Sequence, residues 1–64
     1  MLEWKKLVVE AIGVRRDERL SQRELAALAG VSHPTVVKFE KALTSIRIDS
    51  ALAILTALGL AEEG

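Results

Sequence analysis

The chain reads as an all-α protein, a small bundle of four to five helices, on three observations. Apolar residues near both ends recur with helical spacing. Two helix starts, at Ser21 and Ser32, flank a glycine at position 30. The only alternating stretch, Thr44 to Ile48, is five residues long and cannot make a sheet alone.

Sixty-four residues make one domain, 1–64, without a repeat, linker or low-complexity tract. A chain of this size buries only about 60% of its unfolded surface, so it is marginally stable alone. There is no cysteine, which excludes a disulfide framework and a thiolate metal site and fits a reducing cytosol. The start, MLEWKKLVVEAIG, carries Glu3 and Glu10 with helical periodicity and does not read as a signal peptide. Ala51 to Ala61 is broken by Thr56 and Gly59 and is far short of the ~20 residues that span a bilayer. The expectation is a soluble, cytoplasmic protein without membrane attachment.

Trp4, Leu7, Val8, Ala11 and Ile12 follow the pattern of an amphipathic helix, predicting helix one over about Glu3 to Arg16. Gly13 within it costs roughly 1 kcal/mol relative to alanine, and is read as a point of close approach for another helix. Asp17-Glu18-Arg19 is a polar link. Ser21 followed by Glu24 is a capping box, with Leu20 and Leu25 as its hydrophobic staple, so helix two starts at Ser21. Leu25, Ala26, Leu28 and Ala29 make its apolar face, and Gly30 ends it. Ser32 caps helix three, with Pro34 in the first turn, where no N–H is needed; Val31 and Val36 repeat the staple, and Phe39 shares the face of Val36. Leu25, Leu28, Val31, Val36 and Phe39 are the expected core of this unit. Two capped helices separated by so short a turn are a helix-turn-helix.

Lys41 to Asp49 follows. Thr44 to Ile48 is expected to be extended, either as a loop whose isoleucines plug the core, the favoured reading, or as a strand that pairs with a second copy. Asp49 or Ser50 then caps a last helix with Leu52, Ile54, Leu55 and Leu58 apolar, Gly59 as its stop and Leu60 folding back. Ala61 to Gly64 is a short tail.

The formal net charge is zero, unlike that of many nucleic-acid-binding domains. Its distribution is uneven, however. Between Arg15 and Arg47 seven cations face four acids, whereas Glu3, Glu10, Asp49, Glu62 and Glu63 lie outside that segment.

Leu20-Ser21-Gln22, Glu24-Leu25-Ala26, Ala29-Gly30-Val31-Ser32, Thr35-Val36, Phe39-Glu40 and Ala57-Leu58-Gly59-Leu60 together resemble the Xre/Cro family of helix-turn-helix regulators, the lambda-repressor-like DNA-binding domains. The resemblance covers about three quarters of the chain. It implies that Gln22 touches a DNA phosphate at the start of helix two, and that Ser32 to Lys41 is the recognition helix in the major groove. Ser32, His33, Pro34, Thr35 and Lys38 would face that groove, with His33, Pro34 and Lys38 nearest the bases and Lys38 able to donate to guanine or to phosphate. Arg23 and Lys41 are the neighbouring cations counted with them. Arg15 and Glu40 correspond to an ion pair between helix one and the end of helix three, a structural role preferred here to a phosphate contact by Arg15.

The sequence departs from the family pattern in three places. Lys41-Ala42 replaces a pair ending in glycine, so helix three is expected to run a few residues longer. Pro34 replaces a polar reader and leaves only an apolar contact, such as one with a thymine methyl. These 64 residues end where relatives often have a fifth helix that dimerises, which leaves the mode of pairing open.

Other chemistry finds little support. His33 is the only histidine and no carboxylate spacing suits a metal, so neither metal nor cofactor is expected. Ser32 and His33 are adjacent at a helix start with no third group, which argues against an enzyme. Val37 is either an exposed filler or a methyl contact. Trp4 is read as core or as a dimer contact. The expected function is sequence-specific binding of double-stranded DNA by a transcriptional regulator, a repressor acting as a homodimer on a pseudo-palindromic operator. The alternative is an antitoxin, a protein-interaction module that neutralises a toxin and can also bind its operator, suggested by apolar Val37, Ile46 and Ile48, which are expected to be exposed.

Overall fold

A computed structural model describes residues 3–62 and contains four helices: α1 Trp4–Asp17, α2 Gln22–Ala29, α3 His33–Glu40 and α4 Ile48–Ala57. The all-α expectation holds. The reading of the tail at Glu63 and Gly64 lies outside the described residues.

α2 packs on both α3 and α4, α1 closes over α3, and α3 also meets α4. Their inward faces supply one core of Val8, Ala11, Leu25, Ala26, Val36, Phe39, Ala51, Ile54, Leu55 and Leu58. Leu25, Val36, Phe39 and Ile54 are completely buried. Trp4 sets its ring edge-on to Phe39 with centroids 5.5 Å apart, a geometry worth ~0.5–1.5 kcal/mol beyond area burial. Trp4 is thus partly core.

The ends of the helices are set locally. Ser21 Oγ accepts from the Glu24 N–H at 2.9 Å, and Glu24 Oε1 accepts from the Ser21 N–H at 2.8 Å, completing the capping box. Those Ser21 donors, backbone N–H first and hydroxyl second, hold the Glu24 carboxyl below its ordinary pKa. Ser32 Oγ accepts from Thr35 N–H at 3.2 Å, and Pro34 sits in the first turn of α3.

All four helices close with the same backbone pattern, an N–H reaching five residues back: Leu20 to Arg15, Val31 to Ala26, Leu43 to Lys38 and Leu60 to Leu55. The pattern needs a left-handed residue at the turn. Gly30 (φ 73) and Gly59 (φ 75) supply two of these, Arg19 (φ 57) and Ala42 (φ 58) the others. A side chain in that region costs roughly 1–2 kcal/mol.

Several expectations are corrected here. α3 does not run on past Glu40, because Ala42 turns left-handed although it is not glycine. α4 is not capped by Asp49 or Ser50. Its N-cap is Arg47, with no side-chain cap bond, and Asp49 sits in the first turn with its carboxylate on the Arg47 guanidinium at 3.1 Å. Thr44 to Ile48 forms no strand among the described residues. Ile46 is half-buried against the core as the loop reading requires, but Ile48 opens α4 with 73% of its surface exposed.

Leu28 is not core: Leu25 and Ala26 fill the inner face of α2, leaving Leu28 64% exposed on its edge, opposite the half-exposed Leu52 of α4. A Cβ added to Gly13 would meet nothing within 4 Å, so among the described residues no helix approaches there. No helix among the described residues is long and apolar enough to cross a membrane.

Candidate nucleic-acid interface

The helix-turn-helix unit is braced by a cluster that links three parts of the chain. Arg15, near the end of α1, grips Glu40, the last residue of α3, with two hydrogen bonds: Nε to Oε2 at 2.6 Å and Nη2 to Oε1 at 3.1 Å. Its third nitrogen, Nη1, donates to the Leu20 carbonyl at 2.8 Å, fixing the chain just before the α2 cap. The two side chains are only 12% and 9% exposed, so the pair is largely shielded from water.

Gln22 joins the same cluster. Its Nε2 donates to Glu40 Oε1 at 3.0 Å, a contact that spacing alone did not disclose. The bond to Glu40 uses one of the two amide protons of Gln22 and fixes the direction of its side chain. The backbone N–H groups of Gln22 and Arg23 precede the first intrahelical bond, from Leu25 to Ser21, and can face an anion.

The candidate contacts on α3 divide by what they already do. Ser32 Oγ and Thr35 Oγ1 lie 2.7 Å apart and are committed to the cap. His33 is half-buried at the first helical position, while Pro34 and Lys38 are exposed one turn apart on the same side. Val37 is half-buried beside them. Arg23 and Lys41 are exposed at opposite ends of the unit.

The structure adds residues that the sequence did not single out. A surface pocket of about 170 Å³ lies where α3 meets the start of α4, lined by Thr35, Lys38, Ser45, Ile46, Arg47 and Ser50. Two cations and the hydroxyls of Ser45 and Ser50 around one cavity suit a phosphate oxygen in charge and in hydrogen bonding. Arg47 stood in the sequence only as one cation among seven. Two serines flanking it, at 45 and 50, were the sole hint, and a weak one. The Arg47–Asp49 pair is exposed on both sides, so it contributes little and yields readily to a phosphate. No group of three or more metal-ligating side chains occurs among the described residues.

Residues 10–64 match the helix-turn-helix family profile. An uncharacterized HTH-type transcriptional regulator of Haemophilus influenzae is 34% identical over 53 residues, which cover 83% of this chain and 54% of that relative. The chain therefore spans about half the length of the curated relative. No solved structure matches.

Proposed function

The chain belongs to the helix-turn-helix family as an Xre/Cro-like DNA-binding domain, and from that premise we propose that it is a sequence-specific transcriptional repressor that binds a pseudo-palindromic operator as a homodimer. The observation that carries the reading is the division of labour along α3. Val36 and Phe39 are buried and Glu40 is held by Arg15, while Pro34 and Lys38 stand free beside the Lys38–Arg47 pocket. α3 enters the major groove, with His33, Pro34 and Lys38 reading bases. Gln22, Arg23 and the first N–H groups of α2 hold phosphates on one side; Ser45, Arg47 and Ser50 hold them on the other, and Lys41 adds charge.

Selection from random double-stranded oligonucleotides tests this directly, with a two-fold symmetric consensus as the expected result. Lys38→Ala relaxes preference at one position by ~1–3 kcal/mol if Lys38 reads a base; Arg47→Ala weakens all sequences alike and lowers the salt slope by about one. No enrichment, or affinities unchanged in both variants, refutes the assignment.

A second reading, an antitoxin that holds a toxin protein, is favoured by one feature away from α3. Leu28 and Leu52 wall an open groove of about 460 Å³ between α2 and α4, floored by Ala29, Ala53 and Ala57. Gel filtration with a co-expressed neighbouring gene product separates the two: a tight heteromer that binds no DNA favours the antitoxin.

A further inference from the structure

We infer that Glu40 is a positioning residue for DNA binding: it sets the Gln22 side chain in place for a backbone phosphate and touches no DNA itself. The inference rests on the reading of Gln22 as a phosphate contact.

Glu40 Oε1 accepts two bonds, one from Arg15 Nη2 at 3.1 Å and one from Gln22 Nε2 at 3.0 Å. Gln22 opens α2 and Glu40 closes α3, 18 positions later, so the contact ties the start of one helix to the end of the other. A primary amide carries two N–H donors. The carboxylate takes one, fixes the side chain and leaves the second for a ligand. Glutamine is among the side chains that lose most rotamer freedom when ordered. Here that loss falls on folding, so a phosphate meets a side chain already arranged.

A carboxylate beside a DNA backbone repels it unless its charge is cancelled. Arg15 cancels it. Its Nε reaches Glu40 Oε2 at 2.6 Å while Nη2 holds Oε1, so the pair carries no net charge, and the Glu40 side chain is only 9% exposed. The same guanidinium holds the Leu20 carbonyl through Nη1 at 2.8 Å. Residue 22 is therefore fixed twice, through its own side chain and through the backbone two positions before it. A charge pair that only joined α1 to α3 would need neither of these contacts.

The double replacement Arg15→Met with Glu40→Leu leaves the net charge at zero and removes the acceptor of Gln22, with apolar side chains in the space of the pair. Binding is measured by fluorescence anisotropy on the operator returned by selection and on an unrelated duplex, at a temperature where circular dichroism shows both proteins folded. The double variant is expected to bind both duplexes about tenfold more weakly than wild type, because a phosphate contact carries no sequence preference. Gln22→Ala is expected to lose about tenfold in wild type and less than about twofold in the double variant, since the two changes remove one contact. If the pair acts on stability alone, Gln22→Ala loses the same factor in both.

Gln22 is the only glutamine and the chain has no asparagine, so its side-chain amide gives one isolated pair of signals in a heteronuclear NMR spectrum. One proton of the pair, held by Glu40, is expected downfield and slow to exchange in the free protein. The other is expected to shift when operator is added. A wild type that binds DNA with that proton unmoved overturns the inference, as does a folded double variant that binds as tightly as wild type. Should the double variant not fold, the wild-type spectrum decides alone. A wild type that binds no duplex removes the phosphate reading and the positioning role together, whereas DNA binding without the amide shift removes Gln22 and its positioning from an otherwise intact DNA reading.

Discussion

Replacing Glu40 by alanine is expected to bring the domain close to unfolding. The substitution removes two hydrogen bonds from Arg15 and the acceptor of Gln22, leaving a guanidinium whose side chain is 12% exposed with only the Leu20 carbonyl. Orphaning one partner of a buried pair costs ~3–5 kcal/mol. A chain of this length has a total stability of roughly 3–10 kcal/mol, so a third or more of it goes with one side chain. Thermal unfolding followed by circular dichroism should show the midpoint falling by about 12 °C or more.

Glu40→Gln keeps the shape but not the charge, and should lose roughly 1.5–3 kcal/mol. The decisive variant is the double replacement Arg15→Met with Glu40→Leu. Since desolvation offsets most of what a buried pair gains, two apolar side chains in its place should recover most of the wild-type stability. A Glu40→Ala midpoint within about 2 °C of wild type would refute the reasoning, because a surface pair is worth that little. A double variant no better than the worse single one would show instead that the pair has a large net stabilising effect.

Two further outcomes follow from the helix ends and the α1 surface. Gly13→Ala should raise stability by up to ~1 kcal/mol, since alanine is the better helix former and its methyl group meets nothing; unchanged urea midpoints would point to a role for that glycine beyond the monomer. For acid stability the sign comes from Glu24, whose folded pKa is lowered. Its contribution is present above the ordinary carboxylate pKa and is lost as pH falls through the folded value. Ser21→Ala removes both the hydroxyl donor to Glu24 and the acceptor of the Glu24 N–H but leaves the backbone donor, so the stability gap to wild type should narrow, without closing, as pH falls through that acid range. A stability gap that stays constant with pH would show that the cap acts without the Glu24 charge.

The parts of the fold that were legible in the sequence are those fixed within a few residues. The Ser21–Glu24 box, Gly30 and the Ser32 cap each depend on bonds spanning at most one turn, and each stands where the residues indicate. The Arg15–Glu40 pair crosses 25 positions and was legible only through the family resemblance. What local pattern could not settle was orientation between helices. Leu28 fits the apolar face of α2 by spacing, yet the way α4 lies against α2 leaves it outside. The α4 cap failed for a related reason: Asp49 and Ser50 are better capping residues than Arg47, but extended backbone through Arg47 starts the helix earlier. Nothing in Lys41-Ala42 announces a left-handed alanine. Ser45 and Ser50 acquire meaning only when α3 and α4 set them around the same pocket as Lys38.

The way α3 is delimited bears on how such a domain diverges. One serine hydroxyl starts the helix, one backbone bond from Leu43 to Lys38 finishes it, and Val36, Phe39 and Glu40 anchor it to the rest. The side chains at 33, 34, 37 and 38 contribute to none of these bonds. On the proposed reading, gene duplicates that exchange these residues acquire new targets at little cost in melting temperature, because the side chains proposed to choose a sequence are kept apart from those that hold the helix.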